Sequence, residues 1–301
     1  MRIGIIGCGI IGSSWASAAL AAGHDVLAFE ASRKETTLET RLEEAFARSG
    51  LDPSGRGRLV VAENLSAFAS GCDYIQESII EDLEIKKALH AELDAIVDGG
   101  TIIATSSSAM PASTLMSELK QRSRCIVSHP AAPPHALPAV EVVPAPFTDQ
   151  AVTERTIEIL TALGQKPVLL NREVPGFVMN RLQGAMLLTM LQMVRDDVVS
   201  PEAADTLIRD AFGMRWALLG PLEGVHLNAP GGIADYFTSY RSMFMEMIEA
   251  PAPDESVLAP EVLEKLQAAC AGPVPVDQIA ARREWRDAAL MGLRKWRGQA
   301  G

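Results

Sequence analysis

The sequence predicts an α/β fold in which a doubly wound sheet is followed by an all-helical C-terminal domain. Short runs of branched apolar residues alternate with helix-compatible stretches from Arg2 to about residue 170, which is the pattern of a parallel sheet covered by helices on both faces. A glycine-rich turn at residues 7–12 follows the first run. After Asn171 only helical patterns remain, so we place a domain boundary between residues 172 and 173.

The apolar runs predict strands, and the stretches between and after them predict helices. Strands are expected at 3–6, 26–29, 59–62, 74–76, 101–104, 125–128, 140–143 and 167–170. Within residues 1–172, the clearest helices are expected at 10–22 and 83–97. Within residues 173–301, helices are expected at 175–197, 201–212, 221–250, 260–271 and 276–299.

Length and charge narrow the possible functions. A chain of 301 residues is long enough for a nucleotide-binding domain and a smaller second domain. The formal net charge of -11 argues against nucleic acid or an anionic membrane surface as a partner, since both require a basic surface. The four cysteines fit no metal-ligand spacing, so we expect no metal. No signal-like leader or membrane-length apolar run is evident, so we expect a cytoplasmic protein.

The glycine-rich turn predicts a dinucleotide site. Gly7 permits the tight turn, Gly9 lets the backbone approach a pyrophosphate, and Gly12 allows the following helix to pack closely. The helix that begins at Ile10 and Ile11 presents its free N–H groups and the positive end of its dipole to the phosphates. A strand before the motif and a helix after it indicate a Rossmann-type domain.

Glu30 indicates which dinucleotide is bound. It lies at the end of the second predicted strand, 18 residues after Gly12, where a carboxylate accepts hydrogen bonds from the adenosine ribose and repels a 2'-phosphate. NAD is therefore favoured over NADP, although Arg33 nearby speaks for a phosphate. The alternative is that Glu30 is a solvated residue at a strand end.

His129 and Glu141 are candidates for acid–base catalysis. Each lies in or beside an apolar run, and a Pro-rich loop separates them. A buried carboxylate needs a partner, and a carboxylate bound to one imidazole nitrogen leaves the other free to take a proton from an alcohol. The alternative is a structural histidine and a surface glutamate.

Two further polar positions are open to two interpretations each. Residues 105–108, Thr-Ser-Ser-Ser, follow a predicted strand, where ligands bind in open parallel sheets, but Ser and Thr also form caps and turns. Arg215 interrupts an apolar stretch, and it suits either a substrate carboxylate or a structural role at a helix end.

Together these motifs resemble the 3-hydroxyacyl-CoA dehydrogenase family and, within it, the branch of lambda-crystallin and L-gulonate 3-dehydrogenase. The resemblance runs from Gly7 to near Arg297. Its motifs are Ile-Glu-Asp-Leu-Glu-Ile-Lys at 80–86, His-Pro at 129–130, Pro-Gly-Phe-Val-Met-Asn-Arg at 175–181, Gly-Met-Arg at 213–215, His-Leu-Asn-Ala at 226–229 and Ala-Arg-Arg-Glu-Trp-Arg-Asp at 281–287.

The resemblance implies catalytic roles and a dimer. His129 would be the general base and Glu141 its orienting partner, while Ser108 would hydrogen-bond the reacting hydroxyl. Asn180 would hold the substrate and His129 in register. The family is commonly dimeric through its helical domain, so a homodimer is expected, with residues 173–301 binding substrate and forming the interface.

The resemblance also implies cofactor contacts and exposes two departures. Glu81 and Lys86 would lie beside the nicotinamide half of NAD, with Ser106 replacing the Asn that is usual in the acyl-CoA enzymes. Ala132 stands where the family's active-site loop carries Asn, and Thr189 stands where branch members tend to carry Glu. These changes would retune the pocket, weaken activity or be compensated by His135.

The substrate expected from this resemblance is a small, free 3-hydroxy acid similar to L-gulonate. No Lys-rich segment of the kind associated with coenzyme A precedes Cys72, and Arg215 suits a carboxylate. 3-Hydroxybutyryl-CoA and L-carnitine stay as alternatives. A further alternative is an NAD-binding, crystallin-like structural protein that has lost activity. β-Hydroxyacid dehydrogenases are disfavoured, because Gly176 stands where their catalytic Lys is expected.

Overall fold

A computed structural model describes residues 1–31 and 36–300, with side chains described up to residue 298. All eight predicted strands are confirmed, each within two residues of its predicted bounds. They are β1 (Arg2–Ile6), β2 (Asp25–Phe29), β3 (Leu59–Val61), β4 (Tyr74–Glu77), β5 (Ile102–Thr105), β6 (Cys125–Pro130), β7 (Ala139–Pro144) and β8 (Lys166–Leu169).

The strands form one sheet in the order β3-β2-β1-β4-β5-β6-β7-β8. The pairings from β3 to β6 are parallel, but β7 runs antiparallel to β6, and β8 is parallel to β7. The sheet is therefore mostly parallel, as the sequence pattern predicts, and the direction of the chain reverses only between β6 and β7. Residues 131–138 are too few for a parallel crossover, which needs about a dozen residues or more, so the chain turns back and brings His129 opposite Glu141.

Two layers of helices cover this sheet. Six helices interleave with the strands, namely α1 (Ile10–Ala21), α2 (Leu38–Arg48), α3 (Leu65–Ala69), α4 (Leu83–Ile96), α5 (Ala112–Leu115) and α6 (Gln150–Ala162). Successive strand residues alternate between two apolar clusters, since Ile102 and Ala104 pack into one and Ile103 into the other. Both clusters are closed by helix side chains, such as Trp15 on one face and Leu93 on the other.

The rest of the described chain is helical, as predicted. Its α-helices are α7 (Met179–Arg195), α8 (Pro201–Leu207), α9 (Met214–Trp216), α10 (Pro221–His226), α11 (Gly232–Ser239), α12 (Arg241–Glu249), α13 (Pro260–Ala271) and α14 (Ile279–Ala300), with a π-helical segment at Ile208–Gly213. The single helix expected at 221–250 was wrong. Pro230, Gly231 and Gly232 interrupt it, since Pro and Gly are poor helix formers and Gly232 has a positive φ of 75°.

The chain divides into two compact units. Unit 1 comprises Met1–Arg181 and Arg283–Gly301, and unit 2 comprises Leu182–Arg282. The end of α14 belongs to unit 1 because Arg294 donates hydrogen bonds to the carbonyl oxygens of His135 and Gly164. The predicted boundary between residues 172 and 173 marks the end of the strand pattern in the sequence, and it stays a prediction. Within the described part of the chain, no helix has the length and apolar character that crossing a membrane requires.

Candidate active site

The glycine-rich turn after β1 is tight at its ends and open in its middle. Gly7 has a positive φ of 84°, and a Cβ there would lie 2.6 Å from the backbone nitrogen of Ile79. A Cβ on Gly12 would lie 1.9 Å from the Gly7 carbonyl oxygen. At Gly9, by contrast, no described atom lies within 4 Å of an added Cβ. Gly9 therefore leaves space beside the backbone, immediately before α1 begins at Ile10 and Ile11, where a pyrophosphate is expected.

A cavity of about 460 Å³ adjoins this turn. Its lining includes Gly7, Gly9, Glu30, Ser78, Ile80 and Leu89. The Glu30 carboxylate, just after β2, forms an ion pair with Arg41 of α2, a partner that the sequence did not suggest. Arg33 lies outside the described residues. The glycine turn, the apolar walls and the carboxylate together fit the adenosine half of a dinucleotide.

Lys86 of α4 belongs to a buried charge cluster. Its Nζ lies 2.7 Å from Glu77 Oε1 and 3.3 Å from Glu81 Oε2, and Thr105 donates a 2.6 Å hydrogen bond to the other oxygen of Glu77. Burial alone would raise the pKa of Glu77, but the neighbouring His90, with its Nε2 3.5 Å from Glu77 Oε2, and the positive charge of Lys86 lower it to about 2. Glu77 is therefore an ionised anchor for Lys86.

Glu81 connects this cluster to Ser108. Its Oε1 accepts hydrogen bonds from the Ser107 hydroxyl at 2.6 Å and from the Ser108 backbone N–H at 2.8 Å, while Asn180 Nδ2 donates to the Ser108 carbonyl oxygen at 2.6 Å. The side-chain oxygens of Thr105 and Ser107 accept the backbone N–H hydrogen bonds that form the local turn. Among the described residues the Ser108 hydroxyl has no hydrogen-bond partner, so it is available to a ligand.

Ser106 occupies a different position from Ser108. Its Oγ accepts hydrogen bonds from Trp15 Nε1 at 3.2 Å and from Gln76 Nε2 at 2.7 Å, and it lies 2.8 Å from Ser78 Oγ. Sequence reasoning did not identify Trp15, Gln76 or Ser78 as site residues. The available signal was the polar Gln76 inside the buried strand β4.

His129 and Glu141 form the predicted pair. His129 Nδ1 lies 2.8 Å from Glu141 Oε2, and both residues are only 5% exposed. The other oxygen of Glu141 accepts the backbone N–H groups of Val178 and Met179, each at 2.8 Å, where α7 begins. A left-handed φ of 50° at Phe177 precedes these two N–H groups. Glu141 is thus fixed at both oxygens, and His129 Nε2, which has no hydrogen-bond partner within the described residues, is free for proton transfer.

The remaining predicted positions belong to unit 2 or are hydrogen-bonded within unit 1. Arg215 belongs to unit 2, where its guanidinium lies 5.6 Å from the centre of the Phe212 ring. His135 Nδ1 lies 2.7 Å from Ser14 Oγ, and burial lowers the pKa of His135. The Thr189 hydroxyl donates to the Ala185 carbonyl oxygen within α7.

Family models match nearly the whole chain. The NAD-binding domain of 3-hydroxyacyl-CoA dehydrogenase matches residues 2–174, and the C-terminal domain of 3-hydroxyacyl-CoA dehydrogenase matches residues 176–279. NAD is therefore the cofactor, as predicted from Glu30 and the glycine turn.

Individual proteins give the same picture. The lambda-crystallin homolog of Mus musculus is 38% identical over 303 residues, covering 96% of this chain and 94% of that protein. The L-carnitine dehydrogenase of Streptomyces griseus subsp. griseus is 32% identical over 290 residues, covering 93% and 86%. A solved structure of 5-formyl-3-hydroxy-2-methylpyridine 4-carboxylic acid 5-dehydrogenase, an NAD+-dependent dismutase, has a TM-score of 0.83 at 25% identity and covers 99% of this chain and 98% of that one.

Proposed function

Since this chain belongs to the 3-hydroxyacyl-CoA dehydrogenase family and is an NAD-dependent oxidoreductase, we propose that it oxidises the 3-hydroxyl of a small, free hydroxy acid similar to L-gulonate to the 3-keto acid. The observation that carries this proposal is the buried His129–Glu141 pair, with 2.8 Å between Nδ1 and Oε2. It supports a base whose Nε2 is free to accept the proton of an alcohol.

Four side chains divide the work at the substrate. His129 accepts the hydroxyl proton at Nε2, and Glu141 stabilises the imidazolium that forms. Ser108 donates to the reacting oxygen, because Glu81 and Asn180 hold its backbone and leave its hydroxyl free. The free carbonyl oxygen of the Asn180 side chain is then available to the substrate.

The proposed cofactor contacts are supported by the glycine turn and by the family resemblance. Gly7, Gly9 and Gly12, with the N-terminus of α1 at Ile10 and Ile11, would hold the pyrophosphate. Glu30 would hold the adenosine ribose, and Glu81, Lys86 and Ser106 would lie on the nicotinamide side. When bound, NAD supplies the acceptor for the hydride that leaves carbon 3. In this proposal residues 1–172 are the NAD-binding domain, and residues 173–301 bind substrate.

The preference for a free acid depends on Arg215. Its guanidinium is exposed and contacts the Phe212 ring, and among the described residues it forms no ion pair with a carboxylate. An exposed, uncompensated guanidinium is suited to bind a substrate carboxylate in a bidentate manner. A thioester of coenzyme A offers no such carboxylate at the acyl end.

The test is NADH formation, followed by absorbance at alkaline pH, with L-gulonate, L-carnitine, 3-hydroxybutyrate and 3-hydroxybutyryl-CoA. We expect turnover of a free acid and a loss of about 10²–10⁴-fold in kcat for His129→Ala, the range that a general base contributes. His24→Ala removes an imidazole from the loop before β2 and serves as the matched control. Arg215→Lys should raise KM for the acid, whereas the surface variant Arg209→Lys should not.

Each alternative has its own outcome in this experiment. Turnover of 3-hydroxybutyryl-CoA alone would overturn the free-acid proposal and leave the family unchanged. Turnover of L-carnitine alone would keep a free carboxylate in the substrate but overturn its similarity to L-gulonate. If calorimetry shows NAD binding but no compound is turned over, the result would indicate a structural, crystallin-like protein that has lost its activity because of Ala132.

We also propose that unit 2 forms the interface of a homodimer, as the resemblance implies. Large apolar side chains stand exposed on it, including Val198 at 70% and Ile248 at 73%. Apolar surface of this kind marks protein–protein contacts, and obligate homodimer interfaces are the most apolar ones. We propose that a second copy of this chain covers the apolar surface of unit 2.

A further inference from the structure

The hydrogen atoms around Ser106 can be assigned from its partners. Trp15 Nε1 carries a hydrogen and can only donate. Gln76 Nε2 faces the Ser128 carbonyl oxygen at 3.2 Å as well as Ser106 Oγ, and the Tyr74 hydroxyl lies 2.6 Å from Gln76 Oε1. Because a carbonyl oxygen only accepts, this arrangement fixes the side-chain amide of Gln76 with its nitrogen toward Ser106. Both groups therefore donate to Ser106.

This leaves one arrangement for the two serine hydroxyls. A serine oxygen has two lone pairs and one hydrogen, and the lone pairs of Ser106 are filled by Trp15 and Gln76. Its hydrogen is then donated to Ser78 Oγ, 2.8 Å away. Ser78 becomes the acceptor in this pair, and its own hydrogen has no other partner among the described residues.

Ser78 and Ser106 also differ in what they face. Ser78 lines the cavity of about 460 Å³ beside Gly7, Gly9 and Glu30, whereas Ser106 is not part of its lining. The backbone of Ser78 packs directly against the glycine turn, where a Cβ on Gly7 would lie 2.7 Å from the Ser78 carbonyl carbon. Ser78, whose hydroxyl hydrogen has no other partner among the described residues, thus borders the dinucleotide cavity.

We propose that Ser78 is a cofactor-binding residue that donates its hydroxyl hydrogen to an oxygen of NAD, and that Ser106 is the positioning residue that holds Ser78 in this donor orientation. In this proposal Ser78, rather than Ser106, makes the contact with NAD that the resemblance implies for Ser106. Gln76 connects the two serines to the segment that carries the proposed base, His129. Its second amide hydrogen is donated to the carbonyl oxygen of Ser128, the residue before His129.

Isothermal titration of the full-length protein with NAD tests this proposal without depending on substrate or turnover. We expect Ser78→Ala to weaken NAD binding by about three- to tenfold, the factor that one neutral hydrogen bond contributes. Ser106→Ala should weaken NAD binding less than this, since Ser78 keeps its hydroxyl. It should nevertheless lower the Tm more, because Trp15 and Gln76 lose a buried acceptor. Ser70→Ala, an exposed serine of unit 1, is the matched control and should leave NAD binding unchanged.

Two results would overturn the proposal. One is a Ser78→Ala variant that binds NAD as tightly as wild type with an unchanged Tm. The other is a Ser106→Ala variant that loses more NAD affinity than Ser78→Ala, which would make Ser106 the direct contact. Titration with ADP-ribose locates the acceptor oxygen. A Ser78→Ala effect on NAD alone supports a contact to the carboxamide oxygen of the nicotinamide ring, and an equal effect on both ligands supports a contact to the ADP-ribose part that they share.

Discussion

Unit 1 and unit 2 bury their apolar side chains to very different extents. Among the described residues, the buried apolar side chains of unit 2 are Val194, Ala204, Val257 and Val262, and all the others lie in unit 1. Unit 1 buries two large clusters on opposite faces of its sheet. Unit 2, in contrast, carries Leu, Ile, Met and aromatic side chains on its surface.

This difference in burial indicates that the two units are stabilised in different ways. A core closed within the chain can hold titratable side chains in fixed positions, as unit 1 does with Glu77, Lys86, His129 and Glu141. Helices with so few buried side chains gain little from burial within their own unit, and most helix stability in proteins comes from packing. Unit 2 therefore depends on covering its apolar surface with another surface, which is what the proposed homodimer supplies.

The largest expected effect is a difference in folding stability between two ion pairs with equal N–O distances. Lys86–Glu77 in unit 1 and Lys265–Asp197 in unit 2 both have 2.7 Å between Nζ and the carboxylate oxygen, but the first pair is buried and the second is exposed. Glu77→Gln should lower the free energy of unfolding by about 3–5 kcal/mol, because it removes the buried counterion of a buried ammonium and leaves only the exposed carboxylate of Glu81, 3.3 Å away. Asp197→Asn should have no measurable effect. Urea unfolding of the two variants measures the contrast, and similar losses in both would contradict it.

The same pair predicts an acid dependence. The pKa of Glu77 is lowered from 4.5 to about 2 in the folded state. Its contribution to stability is therefore complete above pH 4.5 and is lost as the pH falls toward 2. Unfolding curves across this window should converge for wild type and Glu77→Gln, and a difference that stays constant down to pH 2 would contradict the assignment.

A second, intermediate effect concerns the oligomeric state. Ile248→Asp places a carboxylate on the apolar surface of unit 2, and we expect it to weaken the dimer by about tenfold or more, as charge burial at an interface does. Val60→Asp, at a position 50% exposed on β3 of unit 1, is the matched control. Analytical ultracentrifugation should show a shift toward monomer only for Ile248→Asp. A monomeric wild type would refute the proposed homodimer.

The sequence predicts unit 1 better than unit 2 for the same physical reason. Strands carry an apolar signal in the sequence, so all eight were located, and the glycine turn follows β1 while the His129–Glu141 pair lies on β6 and β7. In unit 2 the apolar residues are not confined to one face, and periodicity alone did not show that Pro230, Gly231 and Gly232 divide 221–250 into shorter helices.

Side-chain partners from distant parts of the chain were not predictable in either unit. Arg41 meets Glu30, and Ser78 meets Ser106, only because neighbouring elements of the fold bring them together. Neither pair has a characteristic spacing or composition. The resemblance supplied Ser106 as a cofactor residue, but the assignment of its hydrogen needed the positions of Trp15 and Gln76.

The smallest expected effect is a difference in thiol reactivity between the two units. In unit 1, Cys8, Cys72 and Cys125 are buried, and burial raises the pKa of Cys72 to about 11 and that of Cys125 to about 12, so at neutral pH their reactive thiolate forms are scarce. Cys270 in unit 2 is exposed.

A colorimetric thiol reagent should modify one cysteine rapidly in the native protein and four after unfolding, and Cys270→Ser should abolish the rapid phase. If the rapid phase is absent from the wild-type protein but present in Ile248→Asp, the surface around Cys270 is part of the proposed interface. If it is absent from both, the exposed character of unit 2 is contradicted.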